Sequence, residues 1–141
     1  MPELSDQSRP AALRLNLACD LANVRPAVQG VKQFLVEQGC LESVVMDCEL
    51  ALVEACTNGI QGLVRPAIAE PMLVEVLCDA HWVEMRVTDS TAGFDWPDNA
   101  ALPEPERESG RGLFLIQSLM SYSNYYRSPR GNLLIMRKKR S

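Results

Sequence analysis

Two short runs of alternating residues, MLVEVLC at 72–78 and HWVEMRVTD at 81–89, are separated only by Asp79-Ala80. Alternation with period two marks a strand with one buried face. A connection this short joins antiparallel neighbours, because parallel strands need a crossover of a dozen residues or more. A chain holding this pair must therefore build a sheet with an antiparallel hairpin in it, and the remaining elements have to cover that sheet.

Three more strands and three helices follow from the same periodicities. LRLNLAC (13–19) alternates and reads as a strand, while SNYYRS (123–128) and NLLIMRK (132–138) read as a final hairpin turned at Pro129-Arg130-Gly131. Residues 20–38 read as a helix that Asp20 or Asn23 could cap, with Pro26 tolerable only near the first turn and Gly39 as the stop. Residues 41–64 form a longer helix with Val44, Val45, Cys48, Ala51, Leu52, Ala55, Cys56 and Leu63 as its apolar side, stopped by Arg65-Pro66. A third helix, 112–120, opens directly on glycines. Residues 90–112 show no apolar period, and such a loop inside a compact domain is a functional lid or a disordered segment. The expected organisation is a flexible N-terminal arm at 1–10 and a single domain over 11–141. The order βααββ, loop, αββ predicts an α+β fold, a two-layer α/β sandwich whose mostly antiparallel mixed sheet carries its helices on one face.

Composition narrows the function. The chain has 141 residues and a net charge of −4, which argues against a nucleic-acid partner. The basic tail RKKR (137–140) reads as a solvated terminus. Five cysteines, at 19, 40, 48, 56 and 78, form no CxxC pair, and the single histidine is His81, so a zinc site is not expected. Their odd number and apolar contexts fit reduced thiols. MPELSDQSRP lacks the apolar stretch of a signal peptide and no run reaches spanning length, so the expectation is a cytoplasmic protein with no membrane partner.

Within the long helix, VEACTNGIQGLV (53–64) places Glu54 and Asn58 four residues apart, on one face, with Asp47 and Gln61 on roughly the same stripe. Such a stripe can simply face water. Two other features weigh against that reading. Asp89 ends a strand and precedes STAGFDW; an ionised carboxylate only accepts hydrogen bonds and so reads an exocyclic amino group such as adenine's, while Gly93 lets the backbone pass close to a flat base. ESGRGLFLI (108–116) leads Gly110 and Gly112 into a helix N-terminus, where free N–H groups and the helix dipole attract phosphate. Alone, Asp89 is also an ordinary turn residue and the glycines an ordinary loop-to-helix junction.

Taken in order, the three pieces resemble the histidine-kinase-type (GHKL) ATPases. Glu54-to-Asn58 looks like their N box, Asp89-to-Gly93 like the first glycine box, and Gly110-Arg111-Gly112 like the second, over residues 12 to 138. Free-standing length, FDW after the first box and SGRGLFLIQSLM after the lid are similar to the anti-sigma-factor serine kinases of bacterial partner-switching systems. The resemblance implies a Bergerat-type ATP-binding fold with ATP and Mg²⁺ as cofactors. It implies Asn58 as Mg²⁺ ligand, Glu54 as general base toward a protein serine, Asp89 on the adenine amino group, and Gly93 in the base pocket. Gly110, Arg111 and Gly112 would lie around the phosphates under a lid at 96–109. It further implies a homodimer with two partners: a sigma factor held inactive, and a STAS-domain anti-sigma-factor antagonist that is phosphorylated. A sensor kinase would need a phosphoacceptor histidine, and His81 lies at a strand start. This chain departs from the pattern at Thr91, in the first glycine's place, at Gly62, where a histidine often stands, and at Asn132, where threonine is common. Pro97, Pro103 and Pro105 stiffen the expected lid. Thr91 keeps an alternative open: a non-catalytic or weakly catalytic binding module of the same fold that sequesters a regulatory partner.

Overall fold

A computed structural model describes residues 10–62, 69–90, 111–128 and 131–141. The elements are β1 (Ala11–Leu17), a 3₁₀ turn (Leu21–Asn23), α1 (Val24–Glu37), α2 (Glu42–Gln61), β2 (Met72–Cys78), β3 (Trp82–Ser90), α3 (Arg111–Leu119), β4 (Tyr122–Ser128) and β5 (Gly131–Lys139). Five strands form one sheet in the order β1-β2-β3-β5-β4, and all four pairings are antiparallel. The sheet, expected to be mostly antiparallel, is antiparallel throughout. The last two strands swap places because the chain leaves β3, passes through α3 on the helix side, and returns along the sheet edge as β4 before the hairpin brings β5 back beside β3.

Register explains which face is covered. Leu15, Val74, Val87, Leu134 and Tyr125 form one row across the sheet, and Leu13, Val76, Met85, Met136 and Ser123 the next. These rows point at the helices, where Val74, Val76, Met85 and Met136 are buried against Val28, Val31 and Leu35 of α1, Cys48, Leu52 and Cys56 of α2, and Ile116 of α3. Truncating a fully enclosed side chain such as Leu52 costs about 2–5 kcal/mol. On the other face, Glu84 of β3 is buried between Arg86 Nε at 2.7 Å and Arg137 Nε at 2.6 Å.

Several boundaries differ from those read in the sequence. β1 begins and ends two residues early, because its partner β2 starts at Met72 and the ladder closes at Leu17↔Met72. The helix expected from residue 20 opens as a 3₁₀ turn, since the Asp20 carboxylate accepts the Ala22 N–H at 2.9 Å; Asn23 makes no side-chain cap. Gly39 ends α1 with φ +78°, a backbone that disfavours any Cβ. Leu63, the Arg65-Pro66 stop and most of the Pro129-Arg130-Gly131 turn lie outside the described residues, as do the arm at 1–9 and the lid.

The RKKR tail is not a solvated terminus. It belongs to β5 and its exit: Arg137 holds Glu84, Lys138 Nζ lies 2.8 Å from Asp47 Oδ2 and donates to the Leu119 carbonyl at 2.6 Å, and Arg140 donates to the Asp79 and Gln38 carbonyls. The cations of this tail are internal ties between strands and helices, which a reading of charge along the chain could not reveal.

Candidate functional site

The period of β3 decides the first site residue. Asp89 continues the inward row of Val83, Met85 and Val87, so alternation drives a carboxylate beneath the helix layer. Its relative exposure is 8%, which makes it a desolvated acid and not an ordinary turn residue. Burial raises its pKa; the side chain and backbone of Asn132 and the charge of Arg127 oppose that rise. Asn132 Nδ2 donates to Asp89 Oδ1 at 2.9 Å. Asn132 sits directly across the ladder from Asp89, and Arg127 directly across from Asn132. One carboxylate oxygen is thus held by an amide.

The other oxygen faces α2. A Cβ built on Gly59 would meet Asp89 Oδ2 at 3.7 Å and the Met72 Cε methyl at 2.7 Å. Gly59 follows Cys48, Leu52, Ala55 and Cys56 along the side of α2 that faces the sheet, where Met72 of β2 comes close to it. A glycine inside a helix costs about 1 kcal/mol relative to alanine; here it leaves room beside a buried acceptor. The Cys19 thiol completes this margin. It donates to the Glu70 carbonyl at 3.3 Å, and its pKa is raised by burial, eased by the Met72 N–H, and raised further by the Asp89 charge.

Two anchors fix how α2 lies over the sheet. Asp47 is paired to Lys138, and Gly59 abuts Asp89, the ladder partner of Asn132. From 47 to 59 a helix rises about 18 Å; from 132 to 138 a strand rises about 20 Å. The two spans match, so α2 runs along β5 with its C-terminal turns at the Asp89 end. Glu54, half-buried, and Asn58, exposed, lie on that terminal stretch. Neither side chain has a hydrogen-bond or ion-pair partner among the described residues. Asp47, expected on the same stripe, is held at the opposite end by Lys138 and takes no part. α3 packs along α2, and its last residue, Leu119, receives the Lys138 ammonium. Its first residues, Arg111 and Gly112, therefore start back toward the Asp89 end. Gly93, Gly110 and Thr91 lie outside the described residues, and the side chains of Arg111 and Gly112 are not described.

What this arrangement holds is a buried acceptor with one oxygen beside a glycine, an acid and an amide one helical turn apart, and a helix that starts toward them. The description "Histidine kinase-like ATPase domain" matches residues 17–138, nearly the whole chain. This chain belongs to the histidine kinase-like ATPase domain family. Membership implies ATP binding, and the residues present fit the group: Asp89 offers a desolvated acceptor, and the space beside it is one that a Cβ at Gly59 would begin to fill.

The fold agrees with those of several solved structures, among them the RsbU and RsbW domains of Rv1364c from Mycobacterium tuberculosis, with a TM-score of 0.67 at 15% identity. The match covers 92% of this chain and 32% of that one, so this domain spans about a third of its length. At this identity the likeness is one of fold. No curated protein matches the sequence. No helix among the described residues is long and apolar enough to cross a membrane.

Two residues of this histidine kinase-like ATPase domain went unassigned in the sequence. Asn132 reads there only as a departure, whereas in the fold it is the partner of Asp89. Gly59 carries a signal in hindsight, a glycine inside a helix immediately after the candidate Asn58. A separate hollow lined by Pro10, Leu77, Asp79, Trp82, Glu84 and Arg137 lies at the far end of the sheet from Asp89 and has no part in this constellation.

Proposed function

We propose that this chain is an ATP-dependent protein-serine kinase that also acts as an anti-sigma factor. It holds a sigma factor inactive and phosphorylates a STAS-domain anti-sigma-factor antagonist, which is thereby released. It works in the cytoplasm as a homodimer. The observation that carries the reading is the placement of Glu54 and Asn58, one turn apart, on the part of α2 that ends against buried Asp89.

Each role follows from chemistry. Asp89 accepts from the adenine amino group, with Asn132 fixing the carboxylate's orientation. Gly93 shapes the base pocket. By the resemblance, Gly110, with Arg111 and Gly112 at the start of α3, would offer backbone N–H groups to phosphate. Asn58 offers its side-chain oxygen to Mg²⁺, a hard cation that prefers oxygen ligands. Glu54 orients the substrate serine hydroxyl and takes its proton. Bound ATP·Mg²⁺ supplies the phosphoryl group and neutralises its charge, leaving the protein mainly to position the reactants. The RsbW domain in the similar mycobacterial structure supports the same direction.

The deciding experiment incubates the chain with labelled ATP·Mg²⁺ and the STAS proteins of the same genome. Label on a serine of one of them supports the reading. ATP binding without transfer to any of them favours the second reading, a binding module of the same fold, which Thr91 in the first glycine's place supports.

A further inference from the structure

We propose that Cys40 and Cys78 form a peroxide-responsive thiol–disulfide site at the end of the sheet away from Asp89. Cys40 lies in the turn between α1 and α2, and Cys78 is the last residue of β2. Their sulfurs are 3.7 Å apart, and both are free thiols. No other pair of sulfurs is in contact among the five cysteines, all of them described.

The segments that carry them are held together by one side chain. Arg140 Nη2 donates to the Gln38 carbonyl at 2.9 Å, two residues before Cys40, and Nη1 donates to the Asp79 carbonyl at 2.5 Å, one residue after Cys78. The Cys40 N–H is fixed on the Leu35 carbonyl at 3.2 Å. A disulfide needs its sulfurs at about 2.0 Å, so closure must bring two sulfurs already in contact at 3.7 Å nearer to each other. The two positions also differ in access. Cys40 is half-exposed, whereas Cys78 is buried, its thiol pushed up to about 11 by burial and the neighbouring Cys40, with Arg140 opposing. Cys40 therefore meets the oxidant and Cys78 resolves it. Cys48 and Cys56 are buried, their thiols pushed up to about 12 by burial, and neither sulfur touches another.

The chemistry closes with hydrogen peroxide as oxidant. The Cys40 sulfur attacks one peroxide oxygen, the O–O bond breaks, and the departing hydroxide takes the Cys40 proton to leave as water. The product is a sulfenic acid at Cys40. The Cys78 sulfur then attacks the Cys40 sulfur; the S–S bond forms, the S–O bond breaks, and hydroxide leaves as water with the Cys78 proton. Two thiols and one peroxide give one disulfide and two waters, and a small thiol reverses the step. The bridge would tie the α1–α2 turn to β2 across 38 residues of chain, restricting the unfolded state.

The test treats the full folded chain with hydrogen peroxide, alkylates the remaining thiols, and maps peptides without reduction. The expected result is a Cys40–Cys78 linked peptide within one chain, removed by dithiothreitol, and a higher melting temperature for the oxidised form. Cys40→Ser should give no linked peptide. Cys78→Ser should accumulate a sulfenic acid at Cys40 that dimedone captures. Wild-type protein whose Cys40 and Cys78 both remain alkylatable after treatment with excess peroxide would overturn the proposal, as would a link that joins two chains. The wild-type map decides the question even where a serine variant does not fold.

Discussion

The two ends of the sheet are built on opposite terms. At the end that carries the β2–β3 turn, polar groups are tied to one another. Asp79 Oδ1 accepts the N–H groups of His81 and Trp82, each at 2.7 Å, which lowers its pKa. Lys138 bridges Asp47 and the Leu119 carbonyl, Ser121 accepts the Lys139 N–H, and Arg140 spans Gln38 and Asp79. At the other end, a desolvated carboxylate keeps one oxygen beside a glycine, and an acid and an amide stand on α2 with no described partner. Buried polar groups are normally satisfied within the protein. One end does this, and the other leaves the Asp89 oxygen beside Gly59 as the place where the proposed nucleotide would bind. The contrast teaches that internal ties are concentrated at one end of the strands, while the proposed nucleotide site lies at the other.

That division can be broken from either side. The largest effect belongs to Glu54→Gln, which keeps shape and removes a base. Phosphoryl transfer should fall by roughly two to four orders of magnitude, while the melting temperature and ATP binding hold. Single-turnover transfer at the wild-type rate would remove Glu54 from the chemistry. Next comes Lys138→Met at the tied end, which loses a partly buried ion pair and a carbonyl contact. Chemical denaturation should show a loss of about 1–2 kcal/mol with ATP affinity unchanged. A matching drop in ATP affinity would mean that the two ends are coupled.

A smaller effect, and one with a sign to check, comes from Asp89→Asn. A carboxyl whose folded pKa is raised contributes stability at low pH and loses it as pH rises through that pKa. Ionising Asp89 as the pH rises therefore carries a cost that the amide variant does not bear. Asp89→Asn should melt above wild type at neutral pH, and the gap should close as pH falls into the carboxyl range. A variant that melts below wild type at neutral pH would show that the hydrogen bond from Asn132 and the charge of Arg127 outweigh burial. The smallest effect is expected for Gly59→Ala. The gain in helix propensity, about 1 kcal/mol, is set against displacing the Met72 methyl, a flexible group in a fully buried place. Denaturation should find the variant within about 1 kcal/mol of wild type; a larger loss would show that Met72 cannot move.

Much of the fold was legible because its signals are local. Alternation in MLVEVLC and HWVEMRVTD gave the central hairpin nearly to the residue, and the apolar side of the long helix was read correctly at seven described positions, from Val44 to Cys56. Ile60 was missed because the glycines around it blurred the period. The order of the strands was not legible, since periodicity says which face a residue takes and nothing of its neighbour. For that reason Asp89 could be singled out, but its partner Asn132, 43 residues away, could not. Asp47 and Lys138 failed in the same way: one was set on the stripe of Glu54 and Asn58 and the other in a solvated tail, and each is half of an internal tie. The spacing of Glu54 and Asn58 was readable because four residues on a helix is a local distance; that α2 brings Gly59 beside Asp89 depends on contacts made across the fold.

The central claim is that the Asp89 end of the sheet is the nucleotide site, and calorimetric titration of ATP·Mg²⁺ into wild type and Asp89→Asn tests it most directly. The substitution replaces an acceptor with an amide whose N–H₂ would oppose the adenine amino group, in a variant expected to fold at least as well as wild type. Wild type should bind ATP with Asp89→Asn weakened by roughly tenfold or more, as for a lost charged acceptor of about 1.5–3 kcal/mol. A folded Asp89→Asn protein that binds ATP as tightly as wild type would place the nucleotide elsewhere and contradict the account.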